Sequence, residues 1–336
     1  MRKAAPAIVL FFLAPLVAEF LLGNLPVTLL PALLVLAPLY GGGALLIREI
    51  VRRTGRGWPT MIVLALAYAI VEEAFTTQTL FNPDYLHLHA RLLEPAYIPA
   101  LGIGGWWTVF VLSLHTIWSV SVSVALAEAL VPDRETTPWL GNVGLSVTGV
   151  LFAFGAVAST LLEIKQDHFV ASVGQFAGAA VVCVLLIVVA FLLPRPSPAG
   201  SPAPGLAPSP WIVGAAALAA GSIFMMVPNV WGWRAVGVYM ALYLAMIVAV
   251  SIWSQRENWA GMHRLALAGG AALAYAWHAF LQTPAVGKSG LVNRVGNLLF
   301  AGGLLVLLWI AARRNSRAFA GGSNVKVPTL SAKNAI

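Results

Sequence analysis

Residues 169–193 read FVASVGQFAGAAVVCVLLIVVAFLL. No charged residue interrupts them, and a helix of this length, at about 1.5 Å per residue, crosses a hydrocarbon core about 30 Å thick. Working outward from this stretch, comparable apolar runs lie at 5–22, 27–47, 59–80, 105–131 and 142–163, and then at 211–227, 234–253, 263–281 and 293–312. The expected fold is therefore an all-α, polytopic transmembrane bundle of about ten spans. Composition agrees: the chain is 60% hydrophobic and 10% charged, whereas soluble domains carry roughly 25% charged residues. An ordinary soluble enzyme is excluded on that ground. Many of the 12 tryptophans, among them Trp58, Trp106, Trp107, Trp211 and Trp259, fall near run ends, where indole rings favour the membrane interface.

Charge sets the orientation. Of the 20 Lys and Arg residues, Arg91, Lys165, Arg234, Lys288 and Arg294 fall in one set of alternate loops, and the other 15 fall in the set that includes the N-terminus. The excess marks the cytoplasmic side, so both termini are expected inside, in a cell membrane of the cytoplasmic type. The net charge of +8 follows from this topology; without basic stretches interleaved with aromatics, nucleic acid is not expected as a partner. The partner is the bilayer. The opening Met1-Arg2-Lys3 resembles the start of a signal peptide, but the run behind it is long, includes Glu19 and lacks a small-x-small site, so an uncleaved first span is expected. Residues 194–210, PRPSPAGSPAPGLAPSP, read as an extended cytoplasmic linker. They divide a six-span half, 1–193, from a four-span half, 211–312. Residues 313–336 read as a basic, disordered cytoplasmic tail. The single cysteine, Cys183, reads as a small hydrophobe within a span.

Function is sought where the lipid rule is broken, because an ionisable group inside a span costs several kcal/mol. Glu19, the pair Glu72 and Glu73, His115 and His278 all lie well inside apolar runs. Glu128 and Glu163 lie nearer run ends and read as interfacial. Counting helical rise from the assigned ends puts Glu19, Glu72 and His115 at similar depths, between the midplane and the outer leaflet. At helical spacing Tyr68, Glu72 and Thr76 form one polar stripe, Glu73 and Thr77 another, and His115, Ser119 and Ser123 a third. Hydroxyl stripes are commonly interhelical hydrogen bonds. Adjacent buried carboxylates are different: they repel unless a proton, a cation or a metal compensates them. Tyr275, His278 and Gln282 share a face of the ninth run, which allows His278 to join the pair if the two halves pack together.

The string Ala67-Tyr68-Ala69-Ile70-Val71-Glu72-Glu73-Ala74-Phe75-Thr76-Thr77-Gln78 resembles the first motif of the CPBP (CAAX protease and bacteriocin-processing) intramembrane metalloproteases. Phe110 and His115 on the following span stand for the second motif. Thr77 occupies the position of the family's Arg, four residues rather than three separate Phe110 from His115, and neither His168 nor His278 is followed by the Asn or Asp of the third motif. The resemblance implies a catalytic set of Glu72, Glu73 and His115, with a carboxylate activating water. It also implies that His115 binds zinc or stabilises an oxyanion, with a membrane protein or peptide as substrate; Glu73 and, through the shared face of the ninth run, His278 are the further candidate ligands. Tyr68, Thr76, Thr77, Ser119 and Glu19 are the expected supporting polar residues.

A second reading is a proton- or cation-coupled transporter with Glu72, Glu73 and Glu19 at its midplane. A third is a non-catalytic scaffold whose polar residues only specify helix contacts. His87-x-His89 in the loop 82–104 is a minor metal-pair signal lacking a third ligand. That loop is long enough to cover the outer mouth of a cavity. Residues 102–105, GIGG, lack the lysine and the preceding strand of a nucleotide loop.

Overall fold

The computed structural model describes residues 4–196, 203–287 and 290–322. Ten long helices account for the ten apolar runs: α1 Ala5–Leu21, α2 Val27–Arg53, α3 Trp58–Thr76, α4 Gly105–Ala129, α5 Asn142–Asp167, α6 Val173–Leu192, α7 Pro210–Met226, α8 Trp233–Trp253, α9 Gly261–His278 and α10 Leu291–Gly322. Seven of them are long and apolar enough to cross a membrane, and α1 and α7 are shorter apolar helices. Local chemistry sets their ends. Proline enters the first turns of α1, α3 and α7, where its missing N–H has no partner to lose. α5 stops where His168 turns left-handed at φ 52°. α6 begins with a capping box, in which Gln175 N donates to Ser172 Oγ and Ser172 N to Gln175 Oε1, satisfying two otherwise orphaned donors.

Burial sorts the helices into centre and rim. Within the most apolar windows of α3 and α4, 67% and 61% of residues are buried, against 11% in each of α5, α6 and α8. The central pair is therefore enclosed by α1, α2 and α9, and the rim helices present Val, Leu and Ile outward to lipid. Close approach depends on small residues, as expected where lipid tails offer helices no hydrophobic drive to associate. A Cβ on Gly41 of α2 would run into the carbonyl of Phe11 on α1, and one on Gly270 of α9 into the carbonyl of Gly214 on α7.

The two halves form one bundle. Trp118 of α4 stacks on Tyr275 of α9 at 4.5 Å, and its Nε1 donates to Ala271 O at 2.7 Å. Trp106 Nε1 donates to the Tyr239 hydroxyl of α8, and Phe110 stacks on Phe224 of α7. Of the linker, residues 197–202 lie outside the described residues. Its second part is tied to the α8–α9 turn: Ala203 N donates to Gln255 O, Ala207 N to Asn258 Oδ1, and His263 Nε2 faces Pro208 O. The expected tail needs correction, because α10 continues through Gly322. Arg314 and Asn315 donate to the Leu130 and Ala129 carbonyls at the end of α4, which gives these residues a partner that hydropathy does not register. Residues 323–336 lie outside the described residues.

Glu128 also differs from its interfacial reading. It is 3% exposed and sits in an ion cluster at the expected cytoplasmic end. Arg48 meets Glu128 at 3.0 Å and Glu49 at 2.7 Å, and Arg52 meets Glu128 at 2.7 Å. Arg48 further donates to the carbonyls of Arg134, Glu135 and Thr137 and lies over the Trp139 ring. Glu49 accepts from the backbone N–H groups of Trp139 and Leu140. The α4–α5 connection thus supplies the missing partners for charges on α2, which lets the knot stay buried.

Candidate functional site

Three helices lose α geometry at the depth where the ionisable residues occur. Residues Leu16–Leu21 of α1, Val71–Thr76 of α3 and Leu114–Val122 of α4 are π-helical. They carry Glu19, Glu72 with Glu73, and His115 with Ser119. Such wide turns are uncommon and tend to mark functional sites. Side chains support them: Thr77 donates through both its N–H and its hydroxyl to Glu72 O, Thr76 Oγ1 reaches Val71 O, Ser121 Oγ reaches Thr116 O, and Ser123 Oγ reaches Trp118 O. Each donor bonds a carbonyl five residues back. Ser123 accordingly supports the helix and leaves the polar stripe expected of it.

The widened turns bring the Glu pair onto one imidazole. His115 Nδ1 lies 2.9 Å from Glu72 Oε2, and Nε2 lies 2.6 Å from Glu73 Oε1. Glu72 is 0% exposed, Glu73 3% and His115 7%. The ligand atoms of the three all lie within 4.8 Å of one another, forming the single such His/Cys/Asp/Glu group among the described residues. The two carboxylates are held differently. Glu73 Oε2 accepts from the hydroxyls of Thr77 and Thr79, and Thr79 Oγ1 accepts from Trp107 Nε1 at 3.1 Å. Glu72 is held less fully: Oε2 meets His115 Nδ1, and Oε1 is buried without a hydrogen-bond partner, with Tyr68 beside it. Unpartnered buried acceptors of this kind are costly and call for an explanation.

Ser119 Oγ lies 3.3 Å from His115 Nδ1. Glu19 joins through Tyr40, whose hydroxyl donates to Glu19 Oε1 at 2.5 Å while its ring lies 5.9 Å from the His115 ring. Asn24 Nδ2 donates to the other Glu19 oxygen at 2.6 Å. Tyr40, Asn24, Thr79 and Trp107 were not read as site residues. A tyrosine beside the glycine run Gly41–Gly43 is a visible signal for the first, whereas Thr79 and Trp107 become informative only once the chain after α3 folds down. His278 stands apart from the expected ligand set. The group formed by Glu72, Glu73 and His115 does not include it; His278 Nδ1 is buried without a partner, and its ring is edge-on to Trp277. His168 serves as the left-handed end of α5.

Above the site, the chain after α3 folds over Glu73. Gln78 Oε1 accepts from Ala171 N, and Asp167 Oδ2 accepts from Asn82 Nδ2 and Leu86 N. The Tyr85 hydroxyl lies 3.5 Å from Glu163 Oε1. Further out, Asp84 faces both His87 and His89. The backbone N–H of His89 and the His87 ring lower the Asp84 carboxyl below its ordinary range, and Asp84 raises the His87 imidazole above its own.

Zinc suits this donor set. Carboxylate oxygens and imidazole nitrogens are among its usual ligands, and Glu73 and His115 offer one of each with Glu72 beside them. The hydroxyls behind Glu73 provide the outer-sphere orientation such ligands require.

Neither a curated protein nor a solved structure matches the chain. A model of an uncharacterized membrane protein family matches residues 8–322, which is most of the 336 residues, and the chain belongs to that family.

Proposed function

We propose that this protein is a membrane-embedded, metal-dependent hydrolase of the CPBP peptidase kind, acting on a membrane protein or peptide. The carrying observation is the convergence of Glu72, Glu73 and His115 within 4.8 Å, all buried, with Glu72 Oε1 lacking a hydrogen-bond donor. Glu73 and the His115 Nε2 face would hold the ion, with Thr77 and Thr79 steadying Glu73. Bound zinc supplies a water acidic enough to ionise near neutral pH and polarises a carbonyl. Glu72, with one oxygen beside the imidazole and the other free of donors, takes and returns the proton of the attacking water. Tyr40 and Glu19 fix the far side of the imidazole. The outer chain over Glu73 restricts bulk water, which strengthens each electrostatic contact within.

A coupled transporter is the competing reading. It is favoured by a third carboxylate, Glu19, linked through Tyr40 to the same imidazole, since an imidazole between carboxylates can relay a proton. Zinc content of detergent-purified protein separates the two. About one zinc per chain is expected in wild type, falling at least about tenfold in Glu73→Gln and His115→Ala, with Glu72→Gln retaining metal but losing turnover. Metal-free, well-folded wild type would overturn the hydrolase reading and direct the test to proton flux in liposomes.

A further inference from the structure

Two buried polar atoms of opposite kind stand side by side at the site. The Tyr68 hydroxyl, one helical turn before Glu72 on α3, has no hydrogen-bond partner although the residue is only 5% exposed. Glu72 Oε1 beside it has none either. A buried phenol ordinarily finds an acceptor, and an orphaned donor or acceptor carries a desolvation cost. The neighbouring hydroxyls are engaged: Thr77 and Thr79 donate to Glu73, Thr76 reaches Val71 O, Tyr40 donates to Glu19, and Ser119 meets His115. Both ring nitrogens of His115 face carboxylates. Of these donors, Tyr68 alone keeps a proton to offer a ligand.

The ring is held before any ligand arrives. α2 comes so close at Gly43 that a Cβ there would run into Cε2 and Cδ2 of Tyr68. Phe152 of α5 lies against the same ring, with centroids 6.1 Å apart. A donor fixed in this way, in a site shielded from water, acts on developing charge without having to reorganise.

We propose that Tyr68 is a catalytic residue of the hydrolase: its hydroxyl donates to the carbonyl oxygen of the scissile amide while Glu72 Oε1 takes the proton of water. This role rests on the hydrolase reading and adds the oxyanion donor which that reading lacks. Water forms the new C–O bond as its proton passes to Glu72, and the carbonyl electron pair moves onto oxygen, where Tyr68 donates. Collapse of that oxyanion restores the C=O and breaks the C–N bond, and Glu72 returns the proton to the leaving nitrogen. Loss of a donor of this kind costs about 100–1,000-fold in kcat.

The test loads the full chain, in mild detergent, with cobalt(II), whose visible absorbance reports a ligand taken up beside it. Acetohydroxamate, which carries a carbonyl oxygen, is titrated in parallel with imidazole, which offers Tyr68 no acceptor. Tyr68→Phe removes a hydroxyl that makes no hydrogen bond, so the metal content and melting transition should stay those of wild type. Acetohydroxamate affinity should fall about 10–100-fold, as for a lost hydrogen bond to a charged group, with imidazole affinity unchanged. Gly43→Ala, which keeps the hydroxyl but drives the ring aside, should give a similar selective loss. Equal acetohydroxamate affinity in wild type and Tyr68→Phe overturns the proposal and leaves the hydrolase reading standing. Equal weakening of both ligands overturns it as well, since it assigns Tyr68 to orienting Glu72. Folded wild type that takes up no metal removes the hydrolase reading, and this role with it.

Discussion

A threonine and a glutamate show how differently single polar residues act in this bundle. Thr79 links Trp107 to Glu73 and so fixes the orientation of one carboxylate at the centre. Thr79→Val keeps the volume but leaves Trp107 Nε1 and one Glu73 oxygen with one partner fewer. Metal affinity is expected to fall about 10–100-fold, the usual cost of losing an outer-sphere partner, while the protein still folds; competition with a zinc chelator measures it. Glu128 has no part in that chemistry. Its removal as Glu128→Gln takes the carboxylate from Arg52 and leaves Arg48 with Glu49 and backbone carbonyls, both arginines being largely buried, and breaking a buried pair costs about 3–5 kcal/mol. The exposed pair Arg91–Glu94 offers the contrast, since losing such a contact costs at most about 1 kcal/mol. Unfolding in mild detergent should therefore rank Glu128→Gln far below Glu94→Gln. Similar losses would indicate that the cytoplasmic-end cluster is hydrated.

At the scale of elements, the apolar runs were legible because lipid imposes length and hydropathy directly on the sequence. The π turns were not. Ala67 to Gln78 has no proline and no glycine, and a 3.6-residue period puts Tyr68, Glu72 and Thr76 in one stripe. The observed i to i−5 bonding breaks that register and turns Glu72 and Glu73 together onto His115. Depth counting still succeeded in grouping Glu19, Glu72 and His115, because rise per residue changes little over a short wide turn.

The loop after α3 was legible as a cover only by its length; its grip on α5 through Asn82 and Leu86 depends on contacts across the fold. Its outer turn carries a pH response. Asp84 holds the His87 imidazole above its usual value of about 6.5, so His87 contributes order to the loop fully below about pH 6.5, and that contribution is lost as pH rises through the higher folded value. Proteolysis at Arg91 should be slow near pH 6 and faster near pH 8, and His87→Gln should remove most of the difference. A variant with the wild-type pH dependence would assign the response to another group.

Across the whole molecule, the sequence divides six spans from four at a proline-rich linker, yet the helices that carry Glu72, Glu73 and His115, α3 and α4, are packed from both sides of that division. Trp118 and Trp106 on α4 meet Tyr275 on α9 and Tyr239 on α8, and Phe224 of α7 fills the space between them. Aromatic pairs of this geometry contribute about 0.5–1.5 kcal/mol each beyond their buried area. The described part of the linker, from Ala203, is tied to the α8–α9 turn. Covalent continuity between the halves is therefore expected to be dispensable. Residues 1–196 and 203–336, expressed together as separate chains, should co-purify in mild detergent and retain the zinc content of the intact protein. Gly270→Leu, which drives a side chain into the Gly214 carbonyl, should separate α9 from α7 and weaken that assembly, whereas Gly303→Leu on α10, where added bulk meets open space, should not. Halves that fail to associate despite each reaching the membrane would show that the aromatic interface forms only while the chain is continuous, and that the linker guides the second half into place.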